Sequence, residues 1–146
     1  MRPPASAATL PGRVIHYAFL WRHERGAGLE EARYARLCLV MLARASRQAG
    51  LVQVLVVPFT TRPPASRVTA IAPPPRVRQA LGLDADANWI VPGEANEFIW
   101  PGPDMQPTPD GRADYGHVPP ALFEQVRVAM VEALHGGALH RVWRSV

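Results

Sequence analysis

The chain has 146 residues, enough for one domain, and a chain of this length buries roughly 68–70% of its unfolded surface without disulfides or metal. One cysteine excludes an internal disulfide, and the five histidines are too scattered for a zinc spacing, so no metal and no cofactor is predicted. No apolar run approaches the roughly 20 residues that span a bilayer, and no signal-peptide core is present, so we expect a cytoplasmic protein without membrane association.

Charge is distributed unevenly along the chain. All basic side chains are arginine, and the formal net charge is +4. Residues 1–80 carry twelve arginines and three acids, whereas residues 81–146 carry four arginines and nine acids. This asymmetry is typical of a protein with an anionic partner on one face and a basic partner elsewhere. An ordinary solvated surface is the alternative explanation.

The amino-terminal third combines a tail, a strand and a charged loop. Residues 1–10 hold small side chains and predict a flexible tail before a single domain over residues 11–146. Pro11-Gly12 marks a turn, and residues 13–21 are β-branched and aromatic, which predicts a first strand. Residues 21–35 are highly charged without apolar periodicity, so they predict a long exposed loop.

Two dense apolar runs flank a turn-forming segment in the middle of the chain. They cover residues 36–42 and 52–61 and predict paired strands. The first run begins at Arg36 and the second ends at Thr60 and Thr61. Antiparallel pairing would therefore bring a guanidinium and a hydroxyl to the same end of the sheet. Because such a pair suits a phosphate group, a phosphodiester substrate becomes a hypothesis.

Prolines divide the second half of the chain into short elements. Residues 68–72 predict a short strand and residues 76–83 a brief helix. Residues 89–91 and 94–100 predict extended strand, interrupted by a Pro-Gly pair. Residues 101–116 are rich in proline and glycine and predict an irregular surface loop.

One amphipathic helix is predicted near the carboxyl terminus. After Pro119-Pro120, apolar residues recur at three- and four-residue steps until Gly136-Gly137 ends the pattern. The basic segment 140–144 predicts a fraying tail, although contact with a partner is an alternative. Five short strands, proline-rich connections and this helix predict a mainly β fold, an SH3-like small barrel with a C-terminal amphipathic helix.

Three motifs, and the order in which they follow each other along the chain, resemble those of a known protein family. Residues 11–15 read Pro-Gly-Arg-Val-Ile, like an opening Pro-Gly-x-Ile/Val strand, and residues 56–61 read Val-Val-Pro-Phe-Thr-Thr, like a Val-x-Pro-Ile-Thr-Ser strand end. Between them, Glu31, Arg33 and Arg36 are similar to a loop in which an acid leads to an Arg-Pro pair. Together with the closing helix, the motifs resemble the PemK/MazF-like family, the ribonuclease toxins of type II toxin–antitoxin pairs.

A further motif is similar to a divergent PemK-like branch of that family. Residues 94–104 read Glu-Ala-Asn-Glu-Phe-Ile-Trp-Pro-Gly-Pro-Asp. In an extended strand, Glu94, Asn96, Phe98 and Trp100 would share one face. We expect the last three to be structural and to hold the proline-rich loop against the barrel.

The resemblance implies an endoribonuclease that cleaves single-stranded RNA without metal, by attack of the ribose 2′-hydroxyl on the adjacent phosphate. Arg36 falls on the family's loop arginine and Thr60 on its phosphate-binding threonine, so the resemblance implies that both are catalytic. Glu94 stands near an acid–base position and is the implied base. Two positions depart from the pattern, because Leu37 replaces a proline and Pro92 replaces an arginine that acts as acid or base in some members.

Partners also follow from the resemblance. It implies contacts with single-stranded RNA through Arg22, Arg25, Arg33 and Thr61, a homodimer, and an acidic antitoxin peptide as a candidate partner. The departures from the family pattern leave a second hypothesis open, a catalytically inactive SH3-like barrel that binds RNA or a protein partner. A third hypothesis is a housekeeping protein contact through the proline-rich segments.

Overall fold

The computed structural model describes residues 7–22, 35–46, 50–65, 68–83, 88–102 and 104–144. The strands in these ranges are β1 (Val14–Tyr17), β2 (Arg36–Ala45), β3 (Val52–Thr60), β4 (Trp89–Ile90), β5 (Glu94–Trp100), β6 (Met105–Gln106) and β7 (His140–Trp143). The helices are α1 (Pro75–Leu81) and α2 (Pro120–His135), preceded by a short 3-10 helix over Ala7–Thr9. The mainly β fold with a helix near the carboxyl terminus is confirmed.

The strands form one mixed sheet in the order β6-β1-β2-β3-β5-β7, and β4 pairs with the far end of β3. β2 and β3 form a long antiparallel pair in which Cys38 lies opposite Pro58 and Ala45 opposite Val52. β7 joins the edge of β5 in parallel. Within the described residues the barrel is not closed, because β6 and β7 occupy the two outer positions and do not pair with each other.

The central strands are buried on both faces of the sheet. On one face, β2 and β3 pack against the apolar side of α2, including Leu122, Val126 and Met130. On the other face, Cys38 and Val56 pack with residues of β1 and β5 in a second apolar cluster. Burial on two sides explains why β2 and β3 read as continuous apolar runs rather than alternating ones.

Proline and glycine set the limits of both helices. α1 begins with Pro75 and α2 with Pro120, at the first-turn position where the missing N–H costs no helical hydrogen bond. Gly82 ends α1 in the left-handed conformation with φ of 69°. Gly137, with φ of 72°, turns the chain after α2, and the N–H of Ala138 donates back to a carbonyl of the last turn.

Two sequence predictions about the ends of elements need correction. Leu10, placed in the predicted tail, is fully buried in the second apolar cluster and follows the 3-10 helix, so the packed part of the chain begins earlier. The strand predicted over residues 68–72 is reduced to a single bridge between Ile71 and Ile90. The prolines that follow Ile71 lead directly into α1 and leave no room for a longer ladder.

The carboxyl-terminal segment requires a third correction. The sequence predicted a fraying tail over residues 140–144, but His140–Trp143 is β7 and the side chain of Arg144 is 6% exposed. Parallel pairing with β5 holds this segment, because the backbone N–H of Arg144 donates to Glu97 and that of His140 to Gly93. The end of the chain therefore belongs to the sheet.

Candidate functional site

The three predicted catalytic residues lie at one end of the sheet. The ladder between β2 and β3 ends with Cys38 opposite Pro58, and Arg36 and Thr60 each lie two residues beyond this pair, at the start of β2 and the end of β3. The ladder between β3 and β5 ends with Asn96 opposite Val56, and Glu94 begins β5 two residues beyond this pair. The sheet thus brings a guanidinium, a hydroxyl and a carboxylate to neighbouring strand ends.

Arg36 is held against an aromatic ring. Its guanidinium carbon lies 5.0 Å from the centroid of the Trp21 ring, in cation–π geometry, and both side chains are half-buried. The Nε of Arg36 is buried and has no hydrogen-bond partner within the part of the chain that the structure describes. An unsatisfied buried donor costs about 1–3 kcal/mol, so an acceptor arriving from outside, such as a phosphate oxygen, would remove this cost.

Glu94 contacts the segment that carries Trp21. Its carboxylate accepts a hydrogen bond of 2.8 Å from the backbone N–H of Arg22. This contact fixes the Glu94 carboxylate against the backbone of Arg22, one residue after Trp21. Arg22 itself is exposed, so its side chain is available to solvent and ligands.

Thr60 and Thr61 lie at the end of β3. The Thr60 hydroxyl accepts a hydrogen bond of 3.3 Å from the backbone N–H of Arg62, which leaves the O–H as a donor. The carbonyl of Thr61 accepts from Asn88, whose side-chain oxygen accepts in turn from Arg78 of α1. Arg78, which the sequence did not single out, is therefore a further arginine linked to the end of β3.

Two buried polar residues fix the segment that carries Trp21 and Arg22. Asn96 is fully buried, accepts from the Leu20 N–H at 2.8 Å and donates to the Leu20 carbonyl at 2.7 Å. Arg144 donates to the Ala18 carbonyl at 2.7 Å and forms an ion pair of 3.1 Å with Asp104. The expected role of Asn96 is corrected in one respect, because its side chain holds residues 18–20 rather than the proline-rich loop.

The two departures from the family pattern lie in the packed interior. Leu37 is 6% exposed and belongs to the core cluster against α2, while Pro92 is also buried. Neither position offers a proton donor. Arg25 and Arg33 lie outside the described residues, so the predicted RNA contacts there remain predictions.

Sequence reasoning missed Arg78 and the anchoring role of Arg144. The position of Trp21 at the start of the charged loop was a sequence signal that its ring could lie near the site. For Arg144, no signal existed, since nothing in a basic terminal segment distinguishes a buried arginine from an exposed one.

Among the described residues, no three histidine, cysteine, aspartate or glutamate side chains come together to hold a metal ion. Neither α1 nor α2, the α-helices of the described ranges, has both the length and the apolar composition needed to cross a bilayer.

Comparisons of this chain with family models, with curated proteins and with solved structures find no match. The likeness to the PemK/MazF-like family therefore remains a prediction that depends on the motifs quoted above.

Proposed function

We propose that this protein is a PemK/MazF-like endoribonuclease that cleaves single-stranded RNA, the toxin component of a toxin–antitoxin pair. The observation that carries the proposal is the environment of Arg36. Its guanidinium lies against Trp21, its buried Nε has no acceptor among the described residues, and Thr60 and Glu94 lie at the nearby ends of β3 and β5. This arrangement suits a phosphodiester that enters with its anionic oxygens toward the arginine.

The chemistry proceeds by internal transfer at phosphorus. Glu94 accepts the proton of the ribose 2′-hydroxyl, and the 2′-oxygen forms a bond to the adjacent phosphorus. Arg36 and the Thr60 hydroxyl stabilise the negative charge that builds on the phosphoryl oxygens. The bond from phosphorus to the 5′-oxygen breaks, which leaves a 2′,3′-cyclic phosphate on one fragment and a 5′-hydroxyl on the other.

Proton delivery to the leaving oxygen is the weak step of this site. Position 92, where some family members carry an arginine, is a buried proline. We assign this proton to solvent water. Loss of one catalytic donor typically lowers a rate by about 10²–10³-fold, so we expect slow cleavage.

A second candidate is a catalytically inactive protein that binds RNA or a protein partner on the same surface. Two observations favour it. Pro92 supplies no acid, and the carboxylate of Glu94 already accepts the N–H of Arg22. Binding at Arg36 requires neither group, so it would survive without catalysis.

One assay separates the two candidates. Purified protein is incubated with a long mixed-sequence RNA in EDTA, because the family resemblance implies cleavage without metal. Wild type and Arg36→Ala are compared with Arg44→Ala, an exposed arginine at the opposite end of β2. We expect cleavage with cyclic phosphate ends by wild type and Arg44→Ala, and a rate at least about 10²-fold lower for Arg36→Ala.

Two results would contradict the ribonuclease proposal in different ways. Intact RNA that is nonetheless bound by the wild type would establish the binding protein. Undiminished cleavage by Arg36→Ala would place the chemistry elsewhere. Growth arrest on induced expression, relieved in Arg36→Ala, would support the toxin assignment, as would an acidic antitoxin peptide that protects the RNA. Sedimentation of the purified protein would test the homodimer that the resemblance implies.

A further inference from the structure

Two arginines in the described part of the chain bury a guanidinium Nε that has no hydrogen-bond partner there. One is Arg36 of the proposed catalytic group, and the other is Arg78 of α1. A buried donor without an acceptor destabilises the folded protein, and an anion bound from solvent would supply the missing acceptor. The proposed cleavage chemistry uses Arg36 but has no role for Arg78.

Two side-chain hydrogen bonds hold Arg78 at the end of β3. Its Nη1 donates to the side-chain oxygen of Asn88 at 3.2 Å, and the side-chain nitrogen of Asn88 donates to the Thr61 carbonyl at 3.3 Å. Thr60 pairs with Trp89, so this link ends one residue from the hydroxyl that is proposed to bind phosphate. Because Asn88 engages only Nη1, the Nε–Nη2 edge of the guanidinium, which matches two phosphate oxygens, keeps its donors for a ligand.

The sequence that leads up to and includes α1 is rich in arginine and lacks acids. Residues 32–83 contain eight arginines and no aspartate or glutamate. Arg62, which follows β3, is exposed, and none of the ion pairs in the described ranges includes Arg62 or Arg78. The next acids along the chain, Asp84 and Asp86, lie outside the described residues. Guanidinium groups without carboxylate partners favour a polyanion over a neutral ligand.

The helix that carries Arg78 and the proposed catalytic arginine belong to opposite faces of the sheet. Arg36 contacts Trp21, which packs against the second apolar cluster, whereas Val77 of α1 belongs to the core cluster on the α2 face. The end of β3 lies between the two faces. Two different phosphates, rather than one, therefore suit the two arginines. An RNA strand that meets Arg36 and crosses the end of β3 would bring a neighbouring phosphate to Arg78.

We infer that Arg78 binds a phosphate of the RNA next to the scissile one, and that it positions the strand across the end of β3. The inference rests on the proposed function, which supplies the RNA. Arg78 touches no reacting atom, so its contact with the strand is the same in the ground state and in the transition state. Its loss should therefore raise KM and leave kcat nearly unchanged.

The test uses mixed-sequence 2′-O-methyl oligonucleotides, which cannot be cleaved because the attacking hydroxyl is blocked. With a tetranucleotide, we expect Arg78→Ala to weaken binding about tenfold, as the loss of a charge-assisted hydrogen bond does. Arg76→Ala is the matched control, because it removes an exposed arginine from the same helix, and it should change the affinity by less than about threefold. With a dinucleotide, whose single phosphate is bound by Arg36, Arg78→Ala should leave the affinity unchanged.

Two further measurements separate positioning of the strand from a structural role. The Nε–H resonance of Arg78, assigned by its loss in Arg78→Ala, should shift when the tetranucleotide is added but not when the dinucleotide is added. With cleavable RNA, Arg78→Ala should raise KM about tenfold and alter kcat by less than about twofold. The amide spectrum of each variant checks that it is folded.

Failure of this inference can be told apart from failure of the proposed function. Equal tetranucleotide affinity in wild type and Arg78→Ala, or an equal loss in Arg76→Ala, would overturn the inference and leave the proposed function standing. A lower kcat with unchanged KM in Arg78→Ala would also overturn it, because the residue would then not act through binding of the strand. A wild type that binds neither oligonucleotide would contradict the proposed function, and this inference with it.

Discussion

At the scale of single residues, Arg36 is the side chain whose chemical type matters most to the proposal. Its planar guanidinium lies over the Trp21 ring, and its buried Nε finds no acceptor in the described ranges of the chain. A lysine would keep the charge but lose the stacking and the fork of donors that matches a phosphate. We therefore expect Arg36→Lys to weaken RNA binding nearly as much as Arg36→Ala, measured by filter binding. Wild-type affinity in the lysine variant would show that only the charge is used.

Asn96 offers a test of the buried polar contacts. Asn96→Ala would leave both the N–H and the carbonyl of Leu20 without partners in a buried setting. Each orphaned group costs about 1–3 kcal/mol, so we expect a loss of roughly 2–6 kcal/mol in the free energy of unfolding, measured by urea denaturation. Asn88→Ala is the matched control, since Asn88 also bonds a backbone carbonyl but is only half-buried. Equal losses in the two variants would contradict this account.

The buried side chains of Cys38 and Tyr17 should make the free energy of unfolding depend on pH in the alkaline range. Burial raises the pKa of the Cys38 thiol above its usual 9.0 and that of the Tyr17 phenol above its usual 10.0. Above pH 9 the unfolded chain loses a cysteine proton that the folded protein keeps, so the free energy of unfolding falls as pH rises. The stabilisation is complete below pH 9, and each group contributes a slope of at most about 1.4 kcal/mol per pH unit.

Urea denaturation between pH 7 and pH 10 measures this effect. Cys38→Ala should lose stability at neutral pH through the cavity it creates, yet decline less steeply between pH 9 and pH 10. Parallel curves for wild type and variant would show that the thiol does not contribute.

At the scale of elements, the sequence predicted the strands and the helix whose residue pattern can be read within one short segment. β2, β3 and β5 were found within a few residues of their predicted limits, because dense apolar runs bounded by turn residues specify strands. α2 was found because its apolar residues repeat with helical spacing. β7 was missed, since its partner β5 is distant in sequence and parallel pairing leaves no mark on a four-residue segment.

The anchoring of the carboxyl-terminal segment through β7 and Arg144 can be tested by substitution. Arg144, directly after β7, pairs with Asp104 and is 6% exposed, whereas Arg141 within β7 is 58% exposed and lies 3.7 Å from Glu97. Arg144→Met would leave the Ala18 carbonyl without its donor and the partly exposed Asp104 without its cation, so we expect a loss of about 1–3 kcal/mol by urea denaturation. Arg141→Met should cost less than about 1 kcal/mol. A small effect in both variants would mean that Arg144 does not anchor residues 18–20.

At the scale of the whole molecule, the proposed RNA binding makes a prediction about salt, because the arginines concentrated in residues 1–80 would meet the phosphates. Each arginine that neutralises a phosphate contributes about 0.7 to the slope of log affinity against log salt for a single strand. We expect Arg22→Ala and Arg36→Ala each to reduce this slope by roughly that amount. Arg127→Ala, on the exposed face of α2 and paired with Glu124, should leave the slope unchanged. Equal slopes in all variants would place the RNA on another surface.

The part of the candidate site that depends on the pairing of β2 with β3 could be predicted from the sequence. The convergence of Arg36 and Thr60 followed from two neighbouring runs joined by a short turn, which local pattern specifies. The open sheet, the contact of Trp21 with Arg36, and the support from Arg144 depend on how distant segments pack. Single-sequence periodicity carries no information about such long-range choices.

The hydrogen bond from Arg144 to Ala18 joins residues 126 positions apart. During synthesis on a ribosome, residues 18–20 cannot be anchored in this way until Arg144 has emerged. Truncated products that end before β7 would leave the approach to the proposed RNA surface unsecured, so the docking of β7 would determine when the molecule becomes competent.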